Sequence, residues 1–264
     1  MSEQFEARWL ALREGADAAA RARAVSDALA AHFAGHETPV EVLDLGAGAG
    51  NNLRATAPLL PAPQRWRLTD SDAGLLGEAC RTLPNGVSAE PVVIDLADGI
   101  SPLLEVGPRP HLVTASALFD LCSAAWIERF VEALAGARLP LHTVLSYDGR
   151  QDWRPGHRLD SAVLDAFHAD QARDKGLGPA LGPAAHDALV AALRAAGYSV
   201  TEATSDWRLE APRDGALIAA LAAGTAAAVA PTLGADASDW GAARAGASPV
   251  VIGHKDLFAL PPSP

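Results

Sequence analysis

A buried strand that runs straight into a glycine-rich turn constrains this chain more than any other stretch. The residues are Glu41-Val-Leu-Asp-Leu-Gly-Ala-Gly-Ala-Gly-Asn51. Val40 to Leu45 reads as the strand, Gly46, Gly48 and Gly50 as the turn, and a helix opens at about Asn51-Asn52-Leu53. Backbone that bends this tightly while admitting a ligand has no room for a Cβ. The helix behind the turn aims its free N–H groups and positive dipole end at something anionic. Asp44, just before the turn, is placed to face the bound molecule with a carboxylate. The pattern is that of a nucleotide-type cofactor site on an α/β scaffold.

Glycine spacing separates two readings. A dinucleotide site follows G-x-G-x-x-G, with an acid about 20 positions further on. Here the spacing is Gly46-x-Gly48-x-Gly50, and Asn51 stands where that fingerprint wants glycine. Asp44 would also repel a pyrophosphate, whereas it suits a cationic ligand carrying an amino group. The D-L-G-x-G-x-G pattern resembles motif I of the class I S-adenosylmethionine (SAM) dependent methyltransferases. The resemblance implies SAM as cofactor, held at Asp44, Gly46, Ala47, Gly48 and Asn52.

Three further strand ends agree in order and spacing. A strand at Trp66-Arg-Leu-Thr69 ends at Asp70 and Ser71, and one at Pro91-Val-Val-Ile94 ends at Asp95-Leu96. A fourth, His111 to Ala115, runs into Ser116-Ala-Leu-Phe-Asp120. By the resemblance, Asp70 takes the ribose hydroxyls, with Ser71 beside it. Asp95 takes the adenine amino group while Leu96 packs on the ring, and methyl transfer occurs near Ser116. Asp70 alone would also serve as a helix N-cap, although Asp72 is better placed for that. Asp95 also reads as a solvated loop acid, and Asp120 as a cap for the helix that begins near Ser123.

The expected fold is α/β: a doubly wound, mostly parallel, seven-stranded sheet with flanking helices. An N-terminal helical lid covers residues 1–36, with Phe5, Trp9 and Leu12, then Val25, Leu29 and Phe33, at helical spacing. On it, Arg13 is a candidate for the methionine carboxylate. Residues 37–264 form the methyltransferase domain. It carries helical insertions at about 151–183 and 211–248, expected over the strand ends as the substrate pocket. A helix over 124–135 should put Trp126, Ile127, Phe130, Val131 and Leu134 on the sheet. The fifth strand, 139–146, leads to Tyr147 and Asp148. These two, with His157 and His168 in the first insertion, are the candidates for contacting the acceptor.

Composition narrows the partners. The formal net charge of −11 disfavours a polyphosphate, so a small-molecule acceptor is expected rather than nucleic acid. The strand-4 end also lacks the N-P-P-Y-type tetrapeptide of methyltransferases acting on base or glutamine amides. Cys80 and Cys122 read as reduced thiols, and the scattered histidines give no metal ligand set. The amino terminus does not read as a signal peptide, and the apolar run 216–230 reads as too short for a membrane span. A cytoplasmic protein is expected, with the alanine-rich helix 214–230 a possible homodimer surface or a lid. Alternative readings are a SAM-binding regulatory subunit without catalysis, an aminopropyltransferase on the same fold and, more distantly, a nicotinamide-dependent dehydrogenase.

Overall fold

The structure, a computed structural model, describes residues 7–36 and 39–263. Phe5, expected on the first helical face, lies outside them. Two helices, α1 (Ala7–Ala20) and α2 (Arg23–Phe33), precede β1 (Val40–Leu45) and the short α3 (Asn51–Thr56). Next come β2 (Gln64–Asp70), α4 (Ala73–Arg81), β3 (Val87–Val93), α5 (Ser101–Glu105), β4 (Leu112–Ser116) and α6 (Ala124–Gly136). The second half holds β5 (Leu141–Trp153), α7 (Asp160–Gln171), α8 (Ala185–Ala195), β6 (Ser199–Thr204) and β7 (Trp207–Leu209). It closes with α9 (Gly215–Leu233), α10 (Ala235–Arg244) and β8 (Val250–Leu260).

The strands form one sheet in the order β3-β2-β1-β4-β5-β8-β6, with β7 also paired to β8. Neighbours from β3 to β5 are parallel, and β8 runs antiparallel to β5, β6 and β7. Near-continuous apolar runs such as Val42-Leu43 and Leu112-Val113 are what a sheet covered on both faces requires. Leu43, Leu45 and Val113 join Trp126, Phe130 and Leu134 of α6 in one core cluster. On the opposite parity, Val40, Val42 and Trp66 pack with Val25, Leu29 and Phe33 of α2. The whole expected stripe of α6 is buried, and Ser123 Oγ caps the helix by accepting from Trp126 N.

The structure corrects several boundaries. The sheet has eight strands rather than seven, because β7 is separate from β6. The first insertion begins later than 151: β5 continues to Trp153, and Gln151, Asp152 and Trp153 pair with Ile252, Val251 and Val250. Register shifts between Thr143 and Ser146 and between Tyr147 and Gln151 let the strand bend without ending. At the first of them Leu145 adopts φ +57°. The stretch before β4 contains the single-turn α5, which is too brief for periodicity to reveal.

The second insertion is a pair of helices rather than one. Helix α9 is 19 residues long with mean hydropathy 1.8, enough by length and composition alone to cross a membrane. The helix extends beyond the apolar run 216–230 at both ends. Here it packs against α7 and α10, burying Leu217, Ile218, Ala222, Thr225 and Val229.

Candidate active site

The glycine turn has the conformation its sequence demands: Gly46, Gly48 and Gly50 have φ of +62°, +51° and +83°. A Cβ on Gly50 would meet the Cβ of Ala79 at 2.9 Å, so that glycine is needed for packing as well as for its backbone angle. The Ala47 N–H donates to the Thr69 carbonyl at 2.9 Å, tying the turn to the end of β2.

Beneath the turn lies a buried polar network. Asp44 is wholly buried, so it does not face the ligand side as the sequence suggested. Its Oδ1 accepts from Asn52 Nδ2 at 2.7 Å, and Oδ2 has no partner among the described residues. Burial pushes Asp44 up to about 7, against the opposing effects of the Asn52 bond and the nearby Arg21 charge. Asn52 is equally committed: it also donates to Thr114 Oγ1 and accepts from Arg21 and Thr56. Its amide therefore supports the turn from below, and its 4 % exposure leaves no face for a cofactor.

The remaining cofactor candidates line up along the carboxyl ends of β1 to β4. Asp70 accepts from Gly48 N at 2.8 Å through Oδ2 and from Asp72 N at 3.0 Å through Oδ1. Each oxygen keeps a lone pair for a further donor. Asp72, not Asp70, caps α4, accepting from Gly74 N and Leu75 N. Ser71 is exposed beside them. Asp95 is exposed and accepts from Ala97 N, which starts a 3₁₀ turn. Leu96 points inward to the α6 core, and its carbonyl accepts from Trp126 Nε1 at 2.6 Å. Ser116 closes β4, and Ala117 beyond it has φ +51°.

Helix α1 lies directly over the turn. Asn51 Nδ2 donates to the Leu10 carbonyl at 2.7 Å, and Arg54 pairs with Glu14 at 2.5 Å. Its other side meets β7: Arg13 Nε pairs with Asp17 at 2.8 Å, the Arg13 guanidinium lies 5.1 Å from the Trp207 ring centroid, and Trp207 Nε1 donates to Asp17. The α1–α2 joint is anchored where Ala22 N donates to Asp256 Oδ2 at 2.9 Å. Asp256 Oδ1 also accepts from Leu145 N at 2.8 Å and from Ser205 Oγ at 2.5 Å.

Beside this ledge is a cavity of about 150 Å³. Trp9 and Arg13 enter it from α1, Asp120 from the segment after β4, Tyr147 from β5, Phe167 and Gln171 from α7, Thr225 from α9 and His254 from β8. Both helical insertions thus contribute walls. Tyr147 is held by two bonds, from Gln151 Nε2 at 3.0 Å and with His168 Nε2 at 3.1 Å. His168 therefore stands behind the tyrosine rather than on the cavity wall. A second cavity of about 260 Å³ shares only Gln151 and Trp153 with the first and holds none of the candidate acceptor-contacting residues.

Two expected acceptor-contacting residues lie elsewhere. His157 sits before α7, where its N–H donates to Asp160 and its Nδ1 accepts from Leu159 N. Asp148 is bound by Arg150, which also reaches Asp206. Asp120, by contrast, is not the helix cap, because Ser123 takes that place, and it faces the cavity instead. His254 had no signal in sequence: it lies in an ordinary antiparallel strand, and only the pairing of β8 with β5 and β7 brings it here.

The strand order, the antiparallel β8 and the glycine turn after β1 define the class I methyltransferase fold. A cyclopropane-fatty-acyl-phospholipid synthase-like protein from Lactobacillus casei has a similar structure, with 13% identity, TM-score 0.55, and 94% of this chain and 99% of that chain covered. A SAM-dependent methyltransferase from Geobacter sulfurreducens in complex with S-adenosyl-L-homocysteine matches at 14% identity and TM-score 0.50, over 98% of this chain and 99% of that one. A cyclopropane synthase from Mycobacterium tuberculosis matches at 11% identity and TM-score 0.50, over 89% and 82%. No family model matches the sequence, and no curated protein does.

Proposed function

We propose that this protein is a SAM-dependent methyltransferase acting on a small molecule. The carrying observation is the ledge formed by the positive-φ glycine turn and the Asp70 carboxylate, opening next to an aromatic-walled cavity. The residues suit a nucleoside with a charged amino-acid tail. Asp70 offers its free lone pairs to a ribose diol, Asp95 to an exocyclic amine, and the turn admits close backbone approach. When bound, SAM supplies an electrophilic methyl group on a sulfonium, so the chain's own tasks are alignment and exclusion of water. Trp9, Arg13 and the α7 and α9 walls serve those tasks. A net charge of −11 supports a small acceptor over nucleic acid, and the free thiols Cys80 and Cys122 suit a cytoplasmic setting.

Calorimetric titration with SAM, S-adenosylhomocysteine and NAD tests the reading. The first two should bind and NAD should not. Asp70→Ala should weaken SAM binding by about ten- to a hundredfold, since bonds to a charged group contribute about 1.5–3 kcal/mol. Asp72→Ala, which removes only a helix cap, should leave the affinity in place. Binding of NAD alone, or of none of the three, overturns the proposal.

A further inference from the structure

Charge and unpaired polar atoms around the 150 Å³ cavity are lopsided in a way that selects a ligand class. Three buried polar atoms on its lining residues lack hydrogen-bond partners among the described residues: Asp120 Oδ1, Gln171 Oε1 and His254 Nδ1. The first two are acceptors. His254 is kept neutral by burial, which lowers it to about 4, so its Nδ1 is available without a positive charge. Buried acceptors left unpaired are costly, and a ligand that donates hydrogen bonds relieves them.

The charge count points the same way. Arg13 is the cation on the cavity wall, and its charge is matched by the buried Asp17 at 2.8 Å. Asp120 has no such partner. Burial pushes it up to about 6, against its own backbone N–H and the weaker pull of Arg13, and a cation beside it would hold it ionised. The remaining walls include Trp9, Trp153 and Phe167, aromatic side chains of the kind that attracts cations. A carboxylate ligand would meet Asp120 with no spare cation to offset it.

We propose that this cavity is the acceptor site and takes a small amine bound as its ammonium ion, an inference that rests on the methyltransferase reading. The ammonium lies among the aromatic walls with its N–H groups on Asp120 and Gln171. Before transfer it gives one proton to the Asp120 carboxylate, which frees the nitrogen lone pair. The N–C bond forms as the C–S bond of the methyl donor breaks, with that electron pair staying on sulfur. Asp120 then returns the proton to solvent. A cavity this small, below the ~300–1,000 Å³ of sites for drug-sized ligands, limits the acceptor to a compact molecule.

The α-ammonium of SAM has the same chemistry, so the experiment separates the two sources. Wild type and Asp120→Asn, a near-isosteric change, are each titrated with S-adenosylhomocysteine. The loaded proteins are then titrated with 2-phenylethylamine, 2-phenylethanol and phenylacetate. The amine should bind wild type at least tenfold more tightly than either control, and Asp120→Asn should erase that preference while keeping the affinity for S-adenosylhomocysteine. Gln171→Leu, which leaves the carboxylate intact, should reduce amine affinity severalfold and serves if Asp120→Asn does not fold. Equal binding of all three probes, binding of none, or a preference that survives Asp120→Asn overturns the inference. An equal loss of S-adenosylhomocysteine affinity in Asp120→Asn also overturns it and gives Asp120 to the cofactor's ammonium. If wild type fails to bind S-adenosylhomocysteine at all, the methyltransferase reading falls first. Titrating the amine series into unloaded protein then tests the cavity by itself.

Discussion

Replacing Asp256 with alanine tests how the helical lid is joined to the sheet. This carboxylate is 1 % exposed and accepts three bonds, from Ala22 N, Leu145 N and Ser205 Oγ. In Asp256→Ala the serine hydroxyl can turn to another acceptor, but the two backbone N–H groups remain where they are. A buried donor left unpaired costs about 1–3 kcal/mol, so the pair costs roughly 2–6. Part is recovered because the folded state no longer buries a carboxylate, whose pKa burial raises. A net loss of about 3 kcal/mol is expected, a large share of the ~5–15 kcal/mol that holds a typical domain folded. For a chain of this size that corresponds to a Tm lowered by roughly 6–12 °C. The assay is urea denaturation followed by circular dichroism, reading the midpoint at unchanged slope. Ser205→Ala should lose about 1 kcal/mol, because it removes one donor and leaves the backbone bonds intact. A loss below about 0.5 kcal/mol in Asp256→Ala would refute the reasoning, since it would mean that neither N–H depends on the carboxylate.

Other perturbations probe the turn and the cavity. Asp44, raised by burial to about 7, favours the folded state in its protonated form, so its contribution is full below about pH 4 and is lost as pH rises through 7. The loss amounts to about 4 kcal/mol across that window. Asp44→Asn keeps an acceptor for Asn52 and should remove this decline in a urea midpoint series from pH 4 to 8. His142 and His254, both lowered by burial, act in the opposite direction and cancel in the difference between the two proteins. Gly50→Ala should destabilise by about 2 kcal/mol or more, from the αL cost of ~1–2 kcal/mol plus the contact with Ala79, as read by thermal melting. Tyr147→Phe removes the hydroxyl shared by His168 and Gln151. It should lower methyl transfer while calorimetry finds SAM affinity unchanged.

Much of the glycine turn and of the strand-end acids is legible because it is written in consecutive residues. The strand, turn and helix around Gly46 to Gly50 occupy a dozen positions, and each strand end carries its acid in local sequence. Asp72 is equally readable, since a cap acts within one turn of helix. What sequence hid is assembled across the chain. Nothing in the local sequence marks Arg21, which is half-buried and donates to Thr56 and Asn52, with the charges of Asp256, Asp17 and Asp44 around it. Tyr147-Asp-Gly-Arg150 read as the end of a strand, because a glycine and two charges usually stop one. The bulges of β5 carry the ladder past them. Pro231 reads as the end of the alanine-rich helix, but α9 continues through it to Leu233, and the α10 helix beyond has too little apolar periodicity to stand out.

Helix α1 meets Asn51 and Arg54 of α3, just behind the glycine turn, through Leu10 and Glu14, and walls the cavity with Trp9 and Arg13. One helix therefore borders both the turn region and the cavity, and the chain just past its carboxyl end is moored at Ala22. Any departure of α1 from the turn also dismantles the neighbouring chamber, and anything lodged in the chamber holds α1 down. For the cofactor and acceptor proposed above, this shared wall predicts linked binding, each ligand strengthening the other by the same factor.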